Sequence, residues 1–212
     1  MSSANVDAWD AEHRRREWGR WPNEAVVRYV LSNFRDTPDR RAVRFLDLGC
    51  GAGAVSAFLR KEGFDVRAID ASEKAVARTN HRLSVEGLDG PMFGAQVASA
   101  TKLSWIAPCF DCVLDVACLQ CLDRQEIAQA LAEAARVLKP GGKLFSYHAA
   151  SDGWTGVHTV GTVYPRGAAE IAALYGQHFD CAYFHDAREQ RHPHNLTVKV
   201  SVNHWIIEGI KK

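Results

Sequence analysis

FLDLGCGAGAV, residues 45–55, joins a short apolar run to a turn with glycine at 49, 51 and 53, and then to the start of a helix. Glycine accepts the positive φ of a tight turn and lets backbone approach a ligand closely, and amides at a helix start are available donors. The neighbours complete a strand–helix–strand unit. SAFLRKEGF reads as a helix stopped by Gly63, and DVRAID (65–70) as a second short strand.

The alternation continues outward on both sides. Upstream, EAVVRYVLSNF (24–34) places Val26, Val27, Val30, Leu31 and Phe34 at helical spacing before TPDR stops it. Downstream, a helix over 72–86 takes Ser72 as N-cap and Gly87 as stop, and a third strand falls around 92–97. FDCVLDV (110–116) is a fourth strand. A helix in DRQEIAQALAEAARVLK follows, with Asp123 as N-cap, and PGG turns the chain into KLFSYHA (143–149), the fifth strand. Strands and helices alternating through short loops predict an α/β fold, a doubly wound parallel sheet with helices on both faces. After 151 comes a long glycine-bearing loop, SDGWTGVHTVGTVYPRG, of the kind that carries function. A helix around 168–176 and a strand near 180–187 lead to LTVKVSVNHWIIEG, whose period-two pattern predicts an antiparallel partner.

Composition sets limits on what this fold does. The chain has 212 residues, 47% hydrophobic and 24% charged, and a net charge of +1, which suits one ordinary domain and argues against a dedicated nucleic-acid binder. Its amino terminus lacks a signal-like apolar run, and nowhere are there 18 consecutive apolar residues, so a cytoplasmic protein is expected. Six cysteines without secretory features read as reduced thiols.

A glycine turn after a strand also serves nicotinamide and flavin enzymes, and here Ala54 stands in the third glycine's place of G-x-G-x-x-G, where alanine is allowed. Two acids point elsewhere. Asp47 lies two residues before Gly49, where its charge disfavours a pyrophosphate, and Asp70 ends the second strand at the spacing of an acid that takes two ribose hydroxyls. Both fit a positively charged nucleoside better than a dinucleotide.

LDLGCGAG, AIDAS, FDCVLDVACLQCL and ARVLKPGGKLF, in that order over residues 43 to about 148, together resemble the class I S-adenosylmethionine-dependent methyltransferases. The resemblance implies a Rossmann-like three-layer fold with seven strands in the order 3-2-1-4-5-7-6, the last antiparallel. It also implies one domain over 1–212: a helical lid segment (1–35), a cofactor-binding core (40–150), and an acceptor loop with C-terminal hairpin (151–212). The cofactor is S-adenosyl-L-methionine, the product S-adenosyl-L-homocysteine. By motif position Asp47, Gly49 and Cys50 lie by the methionine moiety, Gly51 and Gly53 form the loop, and Asp70 with Ala71 meets the ribose. Asp115 and Val116 border the methionine amino group and the methyl. Ser99 stands where many members carry an acid for the adenine amino group, with the backbone at Ala100 beside it. The same resemblance suggests a lid in EHRRREWGRWP, with Trp18 covering the cofactor and Arg20 meeting a carboxylate. A solvated helix face pairing Glu12 with Arg16, and a nucleic-acid patch, are the other readings of that run.

The cysteines of CFDCVLDVACLQC invite a zinc reading. Four sulfurs about 2.3 Å from one metal lie roughly 3.8 Å apart, whereas on a strand Cys109 and Cys112 are separated by roughly 10 Å. No metal site is expected. Cys118 and Cys121 follow the strand's carboxyl end, where ligands of open sheets bind. His192 and His194 read as exposed loop residues, and His158 sits in the long loop. For the transfer itself, Asp115, Gln120 and His148 are the candidates: Gln120 to orient an acceptor, Asp115 or His148 to take a proton, with a hydrogen-bonded structural role the alternative for His148. The expected function is methylation of a small-molecule acceptor. A nicotinamide-dependent oxidoreductase and a non-catalytic cofactor-binding partner subunit remain the alternatives.

Overall fold

The computed structural model describes residues 1–15, 19–90, 94–152, 160–192 and 195–212, with side chains described outside 188–202. Trp18, Arg16, His158 and His194, and the side chain of His192, therefore lie outside the described residues. Six helices and seven strands run along the described chain. They are α1 (Ser3–Arg15), α2 (Glu24–Phe34), β1 (Arg44–Leu48), α3 (Ala54–Lys61), β2 (Asp65–Asp70), α4 (Glu73–Val85), β3 (Ala95–Val97), β4 (Phe110–Val116), α5 (Arg124–Val137), β5 (Leu138–Ala149), α6 (Ala168–Tyr175), β6 (Phe179–His192) and β7 (Asn195–Lys211).

The strands form one sheet in the order β3-β2-β1-β4-β5-β7-β6. β1 to β5 run parallel to one another, and β7 is antiparallel to both β5 and β6. Order and the antiparallel strand agree with expectation. Within the parallel half, alternation along each strand divides the core into two layers. Phe45, Cys112, Leu114 and Phe145 face one way, onto Val26, Tyr29 and Phe34 of α2 and Leu59 of α3. Leu46, Leu48, Val113 and Leu144 face the other, onto Ile127, Leu131 and Ala134 of α5 and Leu174 of α6. Burying an apolar side chain of this size contributes about 1.5–3 kcal/mol each.

The helix starts follow the polar residues that precede them. Ser72 accepts the amide of Ala75, and Asp123 accepts those of Gln125 and Glu126 while Glu126 returns the bond, a capping box. The PGG stretch belongs to β5 as an irregularity, since the register with β4 shifts between Phe110 and Cys112. β6 is longer than its sequence pattern suggested. Among the described residues no helix is long and apolar enough to cross a membrane.

One expectation needs correction here. The first helix begins at Ser3, and its Glu12 and His13 are buried, not solvated. Glu12 pairs with Arg15 at 2.9 Å. The helix lies across the carboxyl ends of the strands instead of standing in water.

Candidate functional site: a carboxylate-floored crevice under helix α1

The crevice opens where β1 and β4 end, between their two following loops. Gly49, Gly51 and Gly53 adopt φ of +69°, +55° and +79°, the left-handed region that favours glycine. A Cβ on Gly49 would lie 2.4 Å from that of Cys118, so the two loops touch at backbone distance.

Four amides of this loop are already paired within the protein. Those of Gly49 and Cys50 donate to Ile69 O at 2.8 and 3.0 Å, and that of Gly53 to Cys50 O at 2.9 Å. Gly51 donates to Asp70 at 3.0 Å. The loop therefore binds the end of β2 and does not present these donors to an anion. A pyrophosphate cradle needs them free.

Three carboxyl groups sit beneath and beside the loop. Asp47 is buried, accepts the Ser56 hydroxyl at 2.6 Å, and is pushed up to about 7 by burial and by the charges of Asp70 and Asp115. Asp70 takes the amides of Gly51 and Ser72, and burial raises it too. Asp115 is raised to about 6 by burial, although the Ser146 hydroxyl and two backbone amides oppose the shift. Such a floor repels anions and favours a cationic ligand.

Asp115 and His148 are both engaged by other groups of the chain. One oxygen of Asp115 accepts the amides of Cys118 and Leu119 at 2.9 and 3.0 Å, the other the Ser146 hydroxyl at 2.5 Å. It holds the turn after β4, in which Ala117 takes φ +65°, and it is fully buried. His148 faces Arg166, with Nε2 3.0 Å from Nη1. Burial and that guanidinium push it down to about 3, so at neutral pH it is an uncharged structural imidazole away from the cavity.

The cavity of about 130 Å³ is lined by Trp9 and His13 of α1, by Gly49, Gly51 and Asp70, and by Val116, Ala117, Cys118, Gln120 and Cys121. Gln120 lines it, with Oε1 taking the Ala149 amide at 2.9 Å and its NH₂ without a partner among the described residues. Cys50 is buried under the loop against Thr79. Beyond Asp70, Ala71 leads into α4, and Ala98 donates to Asp70 O. Ser99 and Ala100 follow there, the Ser99 hydroxyl 2.8 Å from that of Thr101. Arg20 is exposed over Trp21 and lines a neighbouring hollow with Ala52 and Arg78.

The four cysteines do not converge. Cys112 is sealed in the α2 layer, Cys109 sits at the far end of β4, and Cys118 and Cys121 border the cavity. Among the described residues no group of three or more His, Cys, Asp or Glu is arranged to hold a metal ion.

Trp9 and His13 are the site residues that sequence reading missed. The signal was faint: Asn5, Trp9, Glu12 and His13 share a helical face at i, i+4, i+7 and i+8, but three of the four are polar, so no apolar stripe marks the face.

Comparison with known proteins supplies the family. One described as a methyltransferase domain matches residues 46–146, which hold the glycine loop, both acids and the turn after β4. Residues 46–146 thus resemble a methyltransferase domain, on a sheet whose strand order is the one that the class I resemblance implies. The chain is 37% identical over 101 residues to a ubiquinone biosynthesis O-methyltransferase of Caulobacter vibrioides, covering 47% of this chain and 38% of that one. It is 30% identical over 126 residues to an uncharacterized methyltransferase of Bacillus subtilis, covering 59% and 50%. The chain thus spans half or less of the length of these curated relatives. Among solved structures, a SAM-dependent methyltransferase of Methanosarcina mazei superposes with a TM-score of 0.68 at 20% identity, over 90% of this chain and 98% of that one. A magnesium protoporphyrin IX methyltransferase from Synechocystis with bound SAM gives 0.66 at 17%, over 99% and 92%. At such identities the structural likeness speaks for the fold.

Proposed function

We propose that this chain transfers a methyl group from S-adenosylmethionine to a small-molecule acceptor. The observation that carries this reading is the pairing of the glycine-loop amides inside the protein above buried carboxyl groups. That arrangement suits a nucleoside bearing positive charge and argues against the pyrophosphate of a nicotinamide dinucleotide. Asp70 would hold the ribose hydroxyls, with Ala71, Ser99 and Ala100 along the adenine side. Asp47 and Asp115 keep the potential under Gly49 negative, and Val116, Ala117 and Cys118 form the wall at the reacting end.

When bound, the cofactor supplies a methyl on a sulfonium whose leaving group is already activated. The chain's task is placement, and proximity with alignment supplies about 7–11 kcal/mol in well-oriented reactions. Gln120 is the acceptor-orienting group, because its carbonyl is fixed to β5 and its NH₂ is left to meet an oxygen of the acceptor. Neither Asp115 nor His148 serves as a base in this reading, so the acceptor reaches the site already nucleophilic or sheds its proton to water.

A roof over the crevice supports a small acceptor, since α1 leaves only a narrow cavity between itself and the floor. Incubation with methyl-tritiated S-adenosylmethionine and a fractionated cell extract tests the proposal. The label is expected in the low-molecular-weight fraction. Label in nucleic acid or protein contradicts the acceptor class, and transfer to no fraction by folded protein contradicts the activity.

A further inference from the structure

His13 is 4% exposed, and its Nδ1 is buried with no hydrogen-bond partner among the described residues. A buried imidazole nitrogen left unpaired loses its hydration with nothing in return, so the position is unfavourable unless something outside the described polypeptide pairs with it. The ring lines the cavity, and its Cε1 lies 3.7 Å from where a Cβ on Gly51 would stand, so the edge that carries both nitrogens faces the glycine loop.

The helix that carries His13 is anchored on both sides of the crevice. Asn5 donates to Cys121 O and Thr162 O at 3.2 Å each and accepts the Thr162 amide at 2.7 Å. At the other side Asp10 accepts the Ser72 hydroxyl and the Lys74 amide, which ties α1 to the start of α4. The charged groups that face the imidazole are Asp70 across the crevice, Arg78 of α4, and Asp10 and Glu12 of its own helix. Trp9 flanks it, with ring centroids 6.2 Å apart.

We propose that His13 is a cofactor-contacting residue of the lid, which hydrogen-bonds the ribose hydroxyls of a nucleoside held at Asp70. This rests on the methyl-transfer reading above. The two side chains complement each other: a carboxylate accepts hydroxyl protons, and an imidazole N–H donates to the oxygen lone pairs that a carboxylate leaves unused. His13 closes over the ribose from the roof, and Asp70 holds it from the floor. Gly51 is bare at the point where the ring approaches.

Calorimetry with S-adenosylhomocysteine and with 5′-methylthioadenosine, which keeps the ribose but lacks the amino-acid end, tests the assignment. His13→Ala is expected to weaken both ligands by about three- to tenfold, the worth of one neutral hydrogen bond, and His13→Gln to regain part of the loss. Unchanged affinity in folded His13→Ala overturns the proposal. A loss confined to S-adenosylhomocysteine overturns the ribose contact in favour of the amino-acid end. Should the variants fail to fold, the imidazole resonances of His13 in the unmodified protein decide: they move on adding 5′-methylthioadenosine if the proposal holds and stay fixed if it does not. A wild-type protein that binds neither nucleoside contradicts the cofactor reading itself, which separates the two failures.

Discussion

The floor and the roof of the crevice are built by different means. The floor is a run of neighbours in sequence: β1, three glycines at positive φ, and β2 ending in Asp70, all joined by backbone hydrogen bonds. The roof is one helix held by side chains, with Asn5 reaching residues 116 and 157 positions away. Local backbone chemistry sets the first, and tertiary contacts set the second. The floor should therefore be rigid and intolerant of change, whereas the roof should detach with modest loss of overall stability.

Breaking the floor gives the largest expected effect. Gly49→Ala forces a side chain into left-handed backbone and puts its Cβ against the Cβ and Sγ of Cys118. The combined strain and overpacking cost about 2–4 kcal/mol. Chemical denaturation should show that loss, and nucleoside binding should vanish. Cys118→Ala does not relieve it, since the nearest atom is the Cβ that alanine keeps.

Breaking the roof should be milder. At Gly161, with φ +59°, a Cβ would stand 2.1 Å from Asn5 Oδ1 and 3.0 Å from Trp9 Nε1. Gly161→Ala should release α1 from the acceptor loop at a cost of about 1–2 kcal/mol, with a red shift in tryptophan emission and faster proteolysis before residue 20. The main unfolding transition should stay in place.

That contrast explains what was legible in the sequence. FLDLGCGAGAV and DVRAID carry their own turn, strand ends and acids within 26 residues, so the floor could be read from spacing, whereas the sheet order came from the family resemblance that these motifs carry. At β4 the position of Asp115 was legible and its bonds were not: the amides of Cys118 and Leu119 that it accepts belong to a turn that the sequence does not reveal. His148 was hidden likewise, because Arg166 lies in a loop with no pattern of its own. The roof was open to both a lid and a solvated-face reading, because a helix that covers a polar site has no reason to be apolar. Within the lid segment of residues 1–35 the residues singled out were Trp18, which lies outside the described residues, and Arg20, which lines a neighbouring hollow, while Trp9 and His13 line the cavity.

A subtler probe of the floor is its charge. Asp47 and Asp115 titrate near 7 and 6 in the fold against an ordinary 3.8. A carboxyl whose folded value is raised contributes stability that is full below its ordinary value and is lost as pH rises through the folded one. His148, lowered to about 3, acts oppositely and costs stability as pH falls below 6.5. The difference between wild type and variant isolates the acid. Asp47→Asn should raise the melting temperature at about pH 8 relative to wild type and leave that at about pH 4 nearly unchanged. A cationic ligand draws these carboxyls back down, so its binding should release protons and tighten a few-fold between about pH 5.5 and 8. Calorimetry in buffers of different ionisation enthalpy reads that proton release.

The most direct test of the whole account is a calorimetric titration of the unmodified protein with S-adenosylhomocysteine and, separately, with NAD. The loop amides paired to β2 and the carboxylates below them predict one site for S-adenosylhomocysteine and none for NAD up to millimolar concentration. Binding of NAD in its place, or no binding of S-adenosylhomocysteine by folded protein, would contradict it.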